Sequence, residues 1–577
     1  MTCAIMHMNG SLKMPRHLGW TLLTGGLLLA CIPAAQGQSA PPTLPGAVQP
    51  GRGTLPPAIE EQQRRPPEAK LQFSIPTQNR SRPAPKEGQE LRFTLRAIQV
   101  EGASIVGPAF YDPLIQPLLG HPVTLAEVSA LADAIQDRYA ALGYVLTRAY
   151  VPAQELADGT LRIRVIEGHI DRLLVEKGDA AITDRLTAMT AAAIATKPAR
   201  IDRLERALLL ADDLPGTDIN AVLRPGADFG AAELVVSVAR QPWGGSAGIG
   251  NHGSDYAGPW SLYADLYANG LLGQEEQIGL TVSGTPDSRE QRAVNARYQQ
   301  PLGGDGWQLA SQGSWSRGRP GASLRPFAVR TESWSAGQRL AYPIIRSRTL
   351  NLQGEVGWAA QQAKVDILGF PYTQDDWRSL KGQLTLSWSG WAGTAFQLST
   401  GLTQGLDMLG ASPKAGKITS RSGIDAGFTK LEGQATGSVR LAEGLAATLS
   451  LSGQWTDDVL VAGEEFVLGG SRFGRGYNSG DLAGPRGMAA SAELQYRLPW
   501  SGRVVQAATL YAYADWGRVW QSVALDADLT SIGGGVRLAL PAGFSLSGEV
   551  AVPLTKLDLP GLTDPDPRFF IDLAVSF

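Results

Sequence analysis

From residue 241 to the end of the chain, apolar and polar residues alternate in short segments. About sixteen such segments can be marked, divided by Gly, Pro, Asp and Asn, with no long helical pattern among them. In the last segment, one face is apolar and the opposite face is polar: Phe569, Ile571, Leu573, Val575 and Phe577 against Asp572 and Ser576. Strict alternation of this kind predicts β-strands that each have one apolar face.

Alternation alone fits either a water-soluble β-sandwich or a membrane β-barrel. Of the 14 tryptophans, 13 lie at or beyond Trp243, as expected for the aromatic girdles of a membrane barrel. The charged residues also fall on the polar face, which suits a hydrated lumen. The pattern therefore favours a transmembrane antiparallel β-barrel of about sixteen strands over residues 241–577.

Residues 91–240 have a different pattern, which predicts small α+β modules. A strand pattern begins at Phe93, and a helix follows that is opened by Thr124 and Glu127, a capping box, and ended by Gly143. Two strand patterns, "YVLTRAYV" and "TLRIRVIEG", complete the first module. The apolar positions of the helix keep the three-to-four spacing of one buried face: Leu125, Val128, Leu131, Ile135, Tyr139 and Leu142.

A second module of the same kind follows the first. Its strand "IDRLLVEK" precedes two helical segments, "ITDRLTAMTAAAIA" and "IDRLERALLLADDL", and then the strands "DINAVLRP" and "AELVVSVAR". The order of elements predicts two α+β units, with boundaries at residues 91–168 and 169–240.

The segment before the modules, residues 38–90, is rich in Pro, Gln, Gly and Arg and predicts a linker. One island, Ala58 to Arg65, has helix formers between pairs of prolines. It could form about two turns of helix or remain part of the linker.

Residues 1–37 combine basic residues, an apolar run and small residues, the pattern of a secretory signal peptide cleaved after Gly37. A membrane anchor and a lipoprotein site at Cys31 are the alternatives. The only two cysteines are Cys3 and Cys31, so no disulfide framework is available downstream. The sequence therefore predicts an exported protein.

Composition and motifs give no support to an enzyme or a nucleic-acid-binding protein. Net charge is −3, which provides no basic surface. The glycine motif Gly248 to Gly253 is not followed by a helix and is read as the first barrel strand. "GASPKAGKIT" departs from the P-loop spacing, and His121, His169 and His252 are too scattered for a metal site. No catalytic residue, cofactor or metal is expected.

A glycine-rich stretch late in the predicted barrel carries an arginine with a glycine on each side. In "FVLGGSRFGRGYNSGDLAGPRG", Arg475 lies between Gly474 and Gly476 and is followed by Tyr477. Further on, "YADWG" places Asp515 on the same face of a strand as Tyr513, Tyr511 and Thr509, because every second residue of a strand points to the same side.

Together these features resemble the TpsB transporters of two-partner secretion, the ShlB/FhaC/HecB haemolysin secretion/activation family. That family lies within the superfamily of outer-membrane barrel translocases and insertases. The resemblance covers essentially the whole mature chain. It implies a plug helix, a linker, two POTRA domains, a sixteen-stranded barrel and a loop that folds back into the pore. Ala58–Arg65 is shorter than the plug helix usual in the family.

The motifs of the family map onto individual residues of this chain. The loop motif (V/I)RGY falls on Gly474, Arg475, Gly476 and Tyr477, after Phe473, with glycine at the aliphatic position. The motif FxDxG falls on Tyr513, Asp515 and Gly517, with tyrosine in place of phenylalanine. The terminal Phe577 corresponds to the C-terminal barrel signal.

By resemblance, Arg475 reaches the inner wall of the barrel and pairs with Asp515, through the two parallel hydrogen bonds that a guanidinium can donate to a carboxylate. The flanking glycines would let the backbone approach the wall. The alternative is a flexible extracellular loop with a solvated arginine.

The resemblance also implies location, function and partners. The barrel is expected in the outer membrane of a Gram-negative bacterium, with the POTRA domains in the periplasm. It would export a large haemolysin- or adhesin-like TpsA exoprotein, unfolded in transit and recognised by β-augmentation, without ATP. Outer-membrane lipids and, during biogenesis, the barrel assembly machinery are further partners. The alternatives are an insertase of the same superfamily and a passive diffusion porin.

Overall fold

The computed structural model describes most of the chain from residue 92 onward. The described residues are 72–74, 92–156, 158–413, 418–500, 502–521, 526–557 and 566–577. The signal peptide predicted over residues 1–37 and the helix predicted over Ala58–Arg65 lie outside them. Within the described residues, no helix has both the length and the apolar character needed to cross a membrane.

The N-terminal modules contain nine strands and four helices among the described residues. The strands are β1 (Gln72–Ser74), β2 (Arg92–Thr94), β3 (Ala97–Glu101), β4 (Pro122–Thr124), β5 (Arg148–Tyr150), β6 (Thr160–Ile166), β7 (His169–Lys177), β8 (Thr217–Pro225) and β9 (Ala231–Arg240). The helices are α1 (Asp112–Ile115), α2 (Leu125–Ala141), α3 (Ala180–Ala195) and α4 (Ile201–Asp212).

The first module packs α2 against a three-stranded sheet in the order β3-β6-β5. The predicted capping box is confirmed, since Thr124 N donates to Glu127 Oε2 at 2.7 Å and Glu127 N donates to Thr124 Oγ1 at 3.3 Å. Leu142 was expected on the buried face but is 46% exposed, because α2 ends at Ala141 and Leu142 already belongs to the turn at Gly143. The four central apolar positions of the helix are buried: Val128, Leu131, Ile135 and Tyr139.

The second module packs α3 and α4 against a sheet in the order β1-β8-β9-β7. The edge strand β1 is the main departure from the sequence-based expectation, because it lies in the segment whose composition predicts a linker. It runs parallel to β8, with Gln72 opposite Asn220 and Ser74 opposite Val222. Phe73 packs against the apolar core of the module.

The rest of the chain forms a closed barrel of sixteen strands, and this confirms the predicted fold class. The strands beyond the modules are β10 (Trp243–Gly250), β11 (Ser261–Asn269), β12 (Gln277–Gly284), β13 (Gln291–Leu302), β14 (Trp307–Gly318), β15 (Arg330–Arg346), β16 (Leu350–Ile367), β17 (Phe370–Ser389), β18 (Ala395–Gly405), β19 (Thr429–Ala442), β20 (Leu445–Trp455), β21 (Phe466–Leu468), β22 (Leu482–Gly484), β23 (Arg486–Arg497), β24 (Ala507–Trp520), β25 (Ala527–Ala539), β26 (Phe544–Pro553) and β27 (Arg568–Ser576). All except β21 and β22, which pair with each other, belong to the barrel.

Neighbouring barrel strands are antiparallel throughout, and the ring closes where β10 pairs with β27. The paired residues of this closing seam run from Ser246 opposite Ser576 to Gly250 opposite Asp572, and one further backbone contact follows at each end, between Gly245 and Phe577 and from Asn251 N to Ile571 O. Beyond it, the Asn251 side chain continues the pairing: Nδ2 donates to Phe569 O at 2.8 Å, and Oδ1 accepts from Ile571 N at 2.7 Å. Of the GxGxxG stretch, residues 248–250 lie in β10 and residues 251–253 follow the end of the strand, so the prediction of a barrel strand is confirmed for the first half of the stretch.

Side chains alternate between the two faces of the barrel wall as the sequence predicts. On β24, Leu510 and Trp516 are exposed on the outward face, whereas Tyr511, Tyr513 and Asp515 are buried on the inward face. The wall therefore presents apolar residues outward and polar or aromatic residues to the lumen.

The second module sits on one end of the barrel, which we call the module end; the other is the distal end. Arg346, at the end of β15, donates to both carboxylate oxygens of Asp213 at 2.8 and 2.7 Å. Arg206 on α4 donates to Pro343 O at 2.8 Å. Arg348 donates to Phe73 O at 3.2 Å, so the barrel also contacts β1.

Candidate functional site

Residues 456–485, between β20 and β23, form a loop that starts at the distal end and folds back into the barrel; we call it the lumen loop. Its arms pair as the hairpin β21–β22, with Phe466 opposite Gly484. Gly469 and Gly470 have φ values of 93° and 85°, which other residues rarely adopt, and these glycines turn the chain below the hairpin. The loop thereby brings Arg475 to the inner wall.

Arg475 and Asp515 are joined by a two-pronged ion pair. Arg475 Nε donates to Asp515 Oδ2 at 3.1 Å, and Nη2 donates to Oδ1 at 3.0 Å. The backbone N–H groups of Arg475 and Gly474 also donate to Oδ2, at 3.1 and 3.2 Å. One carboxylate therefore fixes both the side chain and the backbone of the loop tip.

Two further strand residues complete the surroundings of the guanidinium. Arg475 Nη1 donates to Glu493 Oε2 at 2.9 Å, and Nη2 donates to Ser491 Oγ at 3.2 Å. The Tyr513 ring lies against the guanidinium, 3.1 Å from the ring centroid to Cζ. Glu493 is shared with Arg537, whose Nη1 donates to it at 2.8 Å. We call Arg475, Asp515, Glu493, Ser491 and Tyr513 the tip cluster.

The tip cluster is shielded from solvent. The side chain of Arg475 is 9% exposed and that of Asp515 is fully buried. Burial opposes the charge, yet the hydrogen bonds and attraction from Asp515, with help from Glu493, hold the pKa of Arg475 above its usual value. Because a buried charge without a partner is strongly destabilising, the loop tip and the wall hold each other in place.

The glycines of the two motifs are required by close contacts. A Cβ on Gly476 would lie 2.8 Å from Pro553 N, and one on Gly517 would lie 2.6 Å from a methyl of the buried Leu468. Gly474 has a φ of 87°, and a Cβ there would meet Leu529. These positions let the loop backbone approach three neighbouring strands.

Tyr477 and Phe473 anchor the tip through apolar packing. Both are buried in one cluster that includes Leu468 and Leu529. The Tyr477 hydroxyl lies 2.9 Å from Thr530 O and 2.8 Å from Thr555 O, and it accepts a hydrogen bond from Thr555 N at 2.9 Å.

The C-terminal residue lies elsewhere. Phe577 and Gly245 exchange backbone hydrogen bonds of 3.0 Å at the module end, and the Phe577 ring lies 6.0 Å from that of Trp243. The structure therefore brings the two motifs together in the lumen and places Phe577 at the seam.

The sequence reading missed Glu493, Ser491 and Arg537 as members of this site. The signal was present, because "ASAELQYRL" places Glu493 on a polar face. In the register of β23 and β24, Ser491 stands opposite Asp515 and Glu493 opposite Tyr513. Pairing the two consecutive strands as a hairpin would have identified both residues.

The arrangement can hold a loop inside a barrel. Its members are an arginine, carboxylates, a hydroxyl and aromatic rings, linked to one another rather than converging on an empty position. Among the described residues, no group of His, Cys, Asp and Glu side chains is arranged to hold a metal ion.

Two family models match the chain. Residues 230–538 match the haemolysin secretion/activation protein ShlB/FhaC/HecB, and residues 93–168 match the POTRA domain, ShlB-type. The first covers more than half of the chain, including most of the barrel and the whole tip cluster.

Similar proteins and structures agree with these matches. The chain is 23% identical to the heme/hemopexin transporter protein HuxB of Haemophilus influenzae (strain 86-028NP), over 88% of this chain and 92% of that protein. It is 24% identical to the outer membrane transporter CdiB of Dickeya dadantii (strain 3937), over 80% and 82%. The solved structure of CdiB from Escherichia coli has a TM-score of 0.71 at 22% identity, and covers 91% of this chain and 100% of that one.

Proposed function

The chain belongs to the haemolysin secretion/activation protein family ShlB/FhaC/HecB, and from that membership we propose that it takes up one large exoprotein unfolded and passes it through the barrel past the lumen loop. It is a transporter of the outer membrane of a Gram-negative bacterium and not an enzyme. The module end then faces the periplasm and the distal end faces the outside. We assign residues 169–240 to a second POTRA domain.

The observation that carries the proposal is the tip cluster, which keeps a loop inside the lumen by directional, charged contacts. A passive diffusion channel does not need a loop bound through Arg475, Asp515 and Glu493. Breaking one partner of a buried ion pair costs about 3–5 kcal/mol. A loop held this way has a defined bound state and can leave it when a translocating chain competes for the space.

Uptake is attributed to the edges of the periplasmic sheets. The strands β3 and β5 are the edges of the first sheet, and an extended segment of the exoprotein can add to such an edge by main-chain hydrogen bonds. No nucleotide-binding motif was found in the sequence, and the driving force is assigned to folding of the exoprotein outside the cell.

The proposal is tested with Arg475→Ala in the producing bacterium. The exoprotein is first identified as the large protein that is missing from the supernatant of a strain in which this gene is deleted. In the Arg475→Ala strain, secretion of that protein is expected to fall about tenfold or more, because the loop tip loses its partner on the wall. Heat-modifiable migration of the barrel in gels checks that the variant is assembled. Arg472→Ala is the matched control, since this exposed arginine lies in the same loop and donates to Gln434.

Two results would overturn the proposal. Normal secretion by Arg475→Ala at wild-type protein levels would remove the role of the tip cluster. Depletion of many outer-membrane barrels in the deletion strain, measured by mass spectrometry of the membrane fraction, would identify an insertase instead.

A further inference from the structure

A second group of buried charges lies at the base of the lumen loop, apart from the tip cluster. Lys430 Nζ on β19 lies 2.6 Å from Glu464 Oε2, and the two side chains are only 7% and 11% exposed. Lys430 also lies 3.2 Å from Glu432 Oε1. A lysine buried to this extent must be neutralised, and the base of the loop supplies one of its carboxylates.

The wall also binds Glu464 through a tryptophan. Trp377 Nε1 on β17 donates to Glu464 Oε1 at 2.7 Å, and Gln361 Nε2 on β16 donates to the same atom at 3.2 Å. Trp377 is 3% exposed and packs with Val461 from the loop. Gly463 lies directly against the Trp377 ring, where a Cβ would come within 2.8 Å. Most other tryptophans of the barrel are not buried, whereas Trp377 is buried against the lumen loop and hydrogen-bonded to it.

The neighbouring Glu465 connects the lumen loop to an extracellular loop. Arg421, in the segment between β18 and β19, donates through Nε to Glu465 Oε1 at 2.8 Å and through Nη2 to Oε2 at 2.7 Å. Beside this pair, Ala462 N donates to Ser420 Oγ at 3.1 Å, and Ser420 N donates to Asp375 Oδ1 at 2.9 Å. The extracellular segment is thus fastened both to the wall and to the lumen loop.

We propose that these residues are a second attachment of the lumen loop and position its tip for Asp515. We call Glu464, Glu465, Lys430, Arg421 and Trp377 the base latch. The tip cluster binds β23 and β24, whereas the base latch binds β16, β17 and β19, so the attachments lie on opposite sides of the point where the loop leaves the wall. Losing the tip contact alone leaves the loop tethered, and clearing the lumen requires both attachments to open.

Arg421 couples the segment between β18 and β19 to the base of the lumen loop. Arg421 is the member of the base latch that lies on the segment between β18 and β19, outside both the barrel wall and the lumen loop. Displacement of the segment carrying Arg421 removes its two hydrogen bonds to Glu465 and loosens the base of the lumen loop. The relevance of this coupling for export rests on the proposed function, whereas the attachment itself can be measured without export.

The test uses the purified full-length protein in detergent micelles and hydrogen exchange read by mass spectrometry. Arg421→Glu places two like charges together, and exchange is expected to rise about tenfold or more in residues 460–468 and also in residues 473–478. The double variant Arg421→Glu with Glu465→Arg restores the pair in reverse and is expected to return both segments to slow exchange. Arg319→Glu, at an exposed arginine of another extracellular loop, is the control.

The outcomes separate this inference from the proposed function. Unchanged exchange at residues 460–468 in Arg421→Glu, or a double variant no slower than Arg421→Glu, would overturn the base latch. A rise at 460–468 without one at 473–478 would refute positioning of the tip. Normal secretion by Arg475→Ala would contradict the proposed function and would leave the exchange result of the latch standing.

Discussion

At the scale of single residues, surroundings rather than residue type decide what a charge does in the lumen loop. Arg472 and Arg475 are three residues apart in one glycine-rich stretch, yet Arg472 is exposed and Arg475 is enclosed by the tip cluster. The difference arises from Gly474 and Gly476, which let the backbone of the second arginine approach the wall. The sequence indicated this, because of these two arginines only Arg475 has glycine on both sides.

A carboxyl group in the same loop predicts a dependence on pH. Burial raises the pKa of Asp481 to about 6, against a hydrogen bond from Asn478 N–H and attraction from Arg568, while Asp255 adds to the rise. The neutral form of the Asp481 carboxyl therefore stabilises the folded loop, and this stabilisation is fully present below about pH 4. About 3 kcal/mol of it is lost as the pH rises through about 6, because the carboxyl then ionises in its buried position. Hydrogen exchange of residues 473–481, corrected for its intrinsic pH dependence, should be slower at pH 5 than at pH 7.5.

The matched variants for this prediction are both in the lumen loop. Asp481→Asn keeps a neutral side chain at every pH and should give the slow exchange of low pH throughout. Asp457→Asn changes an exposed carboxylate and should leave the pH dependence as it is. If Asp481→Asn retained the wild-type pH dependence, another group would be responsible.

At the scale of elements, the sequence predicted those strands and helices whose formation depends on a local residue pattern. Alternation identified the barrel strands, and the capping box identified the start of α2. Strand β1 could not be found this way, because its three residues carry no periodicity and become a strand only by pairing with β8. The base latch was equally hidden, since Glu464 and Arg421 lie on loops whose paths the sequence does not reveal, and Lys430 on β19 contacts Glu464 only once the loop is in place. For the tip cluster, the motifs and the alternation along the strand predicted Arg475, Asp515 and Tyr513, but not Glu493 and Ser491.

The closing seam gives a prediction about one element. Asn251→Ala removes both side-chain hydrogen bonds to β27, and the temperature at which the barrel unfolds in a heat-modifiability assay should fall by roughly 2–4 °C. The cause is the short register of β10 with β27, which ends at Gly250 and is prolonged by this side chain.

The control for the seam lies in a longer strand pair. Gln353→Ala removes an exposed amide from β16, which pairs with β17 along its whole length, and should leave the unfolding temperature within the error of the assay. Equal effects of the two variants would contradict a special role for Asn251.

At the scale of the whole molecule, the second module is fastened to the barrel by specific contacts. Helix α4 faces the turn between β15 and β16. At this turn, Arg346 donates two hydrogen bonds to Asp213. Arg348 donates hydrogen bonds to Glu205 and to the backbone oxygen of Phe73. A charge-assisted, two-pronged contact of this type contributes about 1.5–3 kcal/mol. These contacts therefore hold the second module at a defined angle to the module end of the barrel.

Asp213→Asn should widen the range of those angles. Spin labels on the first module and on the barrel, with distances measured by pulsed electron paramagnetic resonance, should give a broader distribution than in the wild type. Asp202→Asn is the control, because it removes a charge of the same sign from an ion pair with Arg200 that lies within the second module. This variant should leave the distance distribution unchanged. Identical distributions for Asp213→Asn and the wild type would show that other contacts set the angle.

Strand β1 also determines how the chain can be cut and recombined. The sheet of the second module is completed by residues that precede the first module, so a fragment beginning at residue 169 lacks its fourth strand and uncovers the core where Phe73 packs. The smallest graft that carries the whole sheet begins upstream of Gln72 and ends at Arg240, and it contains both modules. For exchange between related transporters, the two modules form a single cassette.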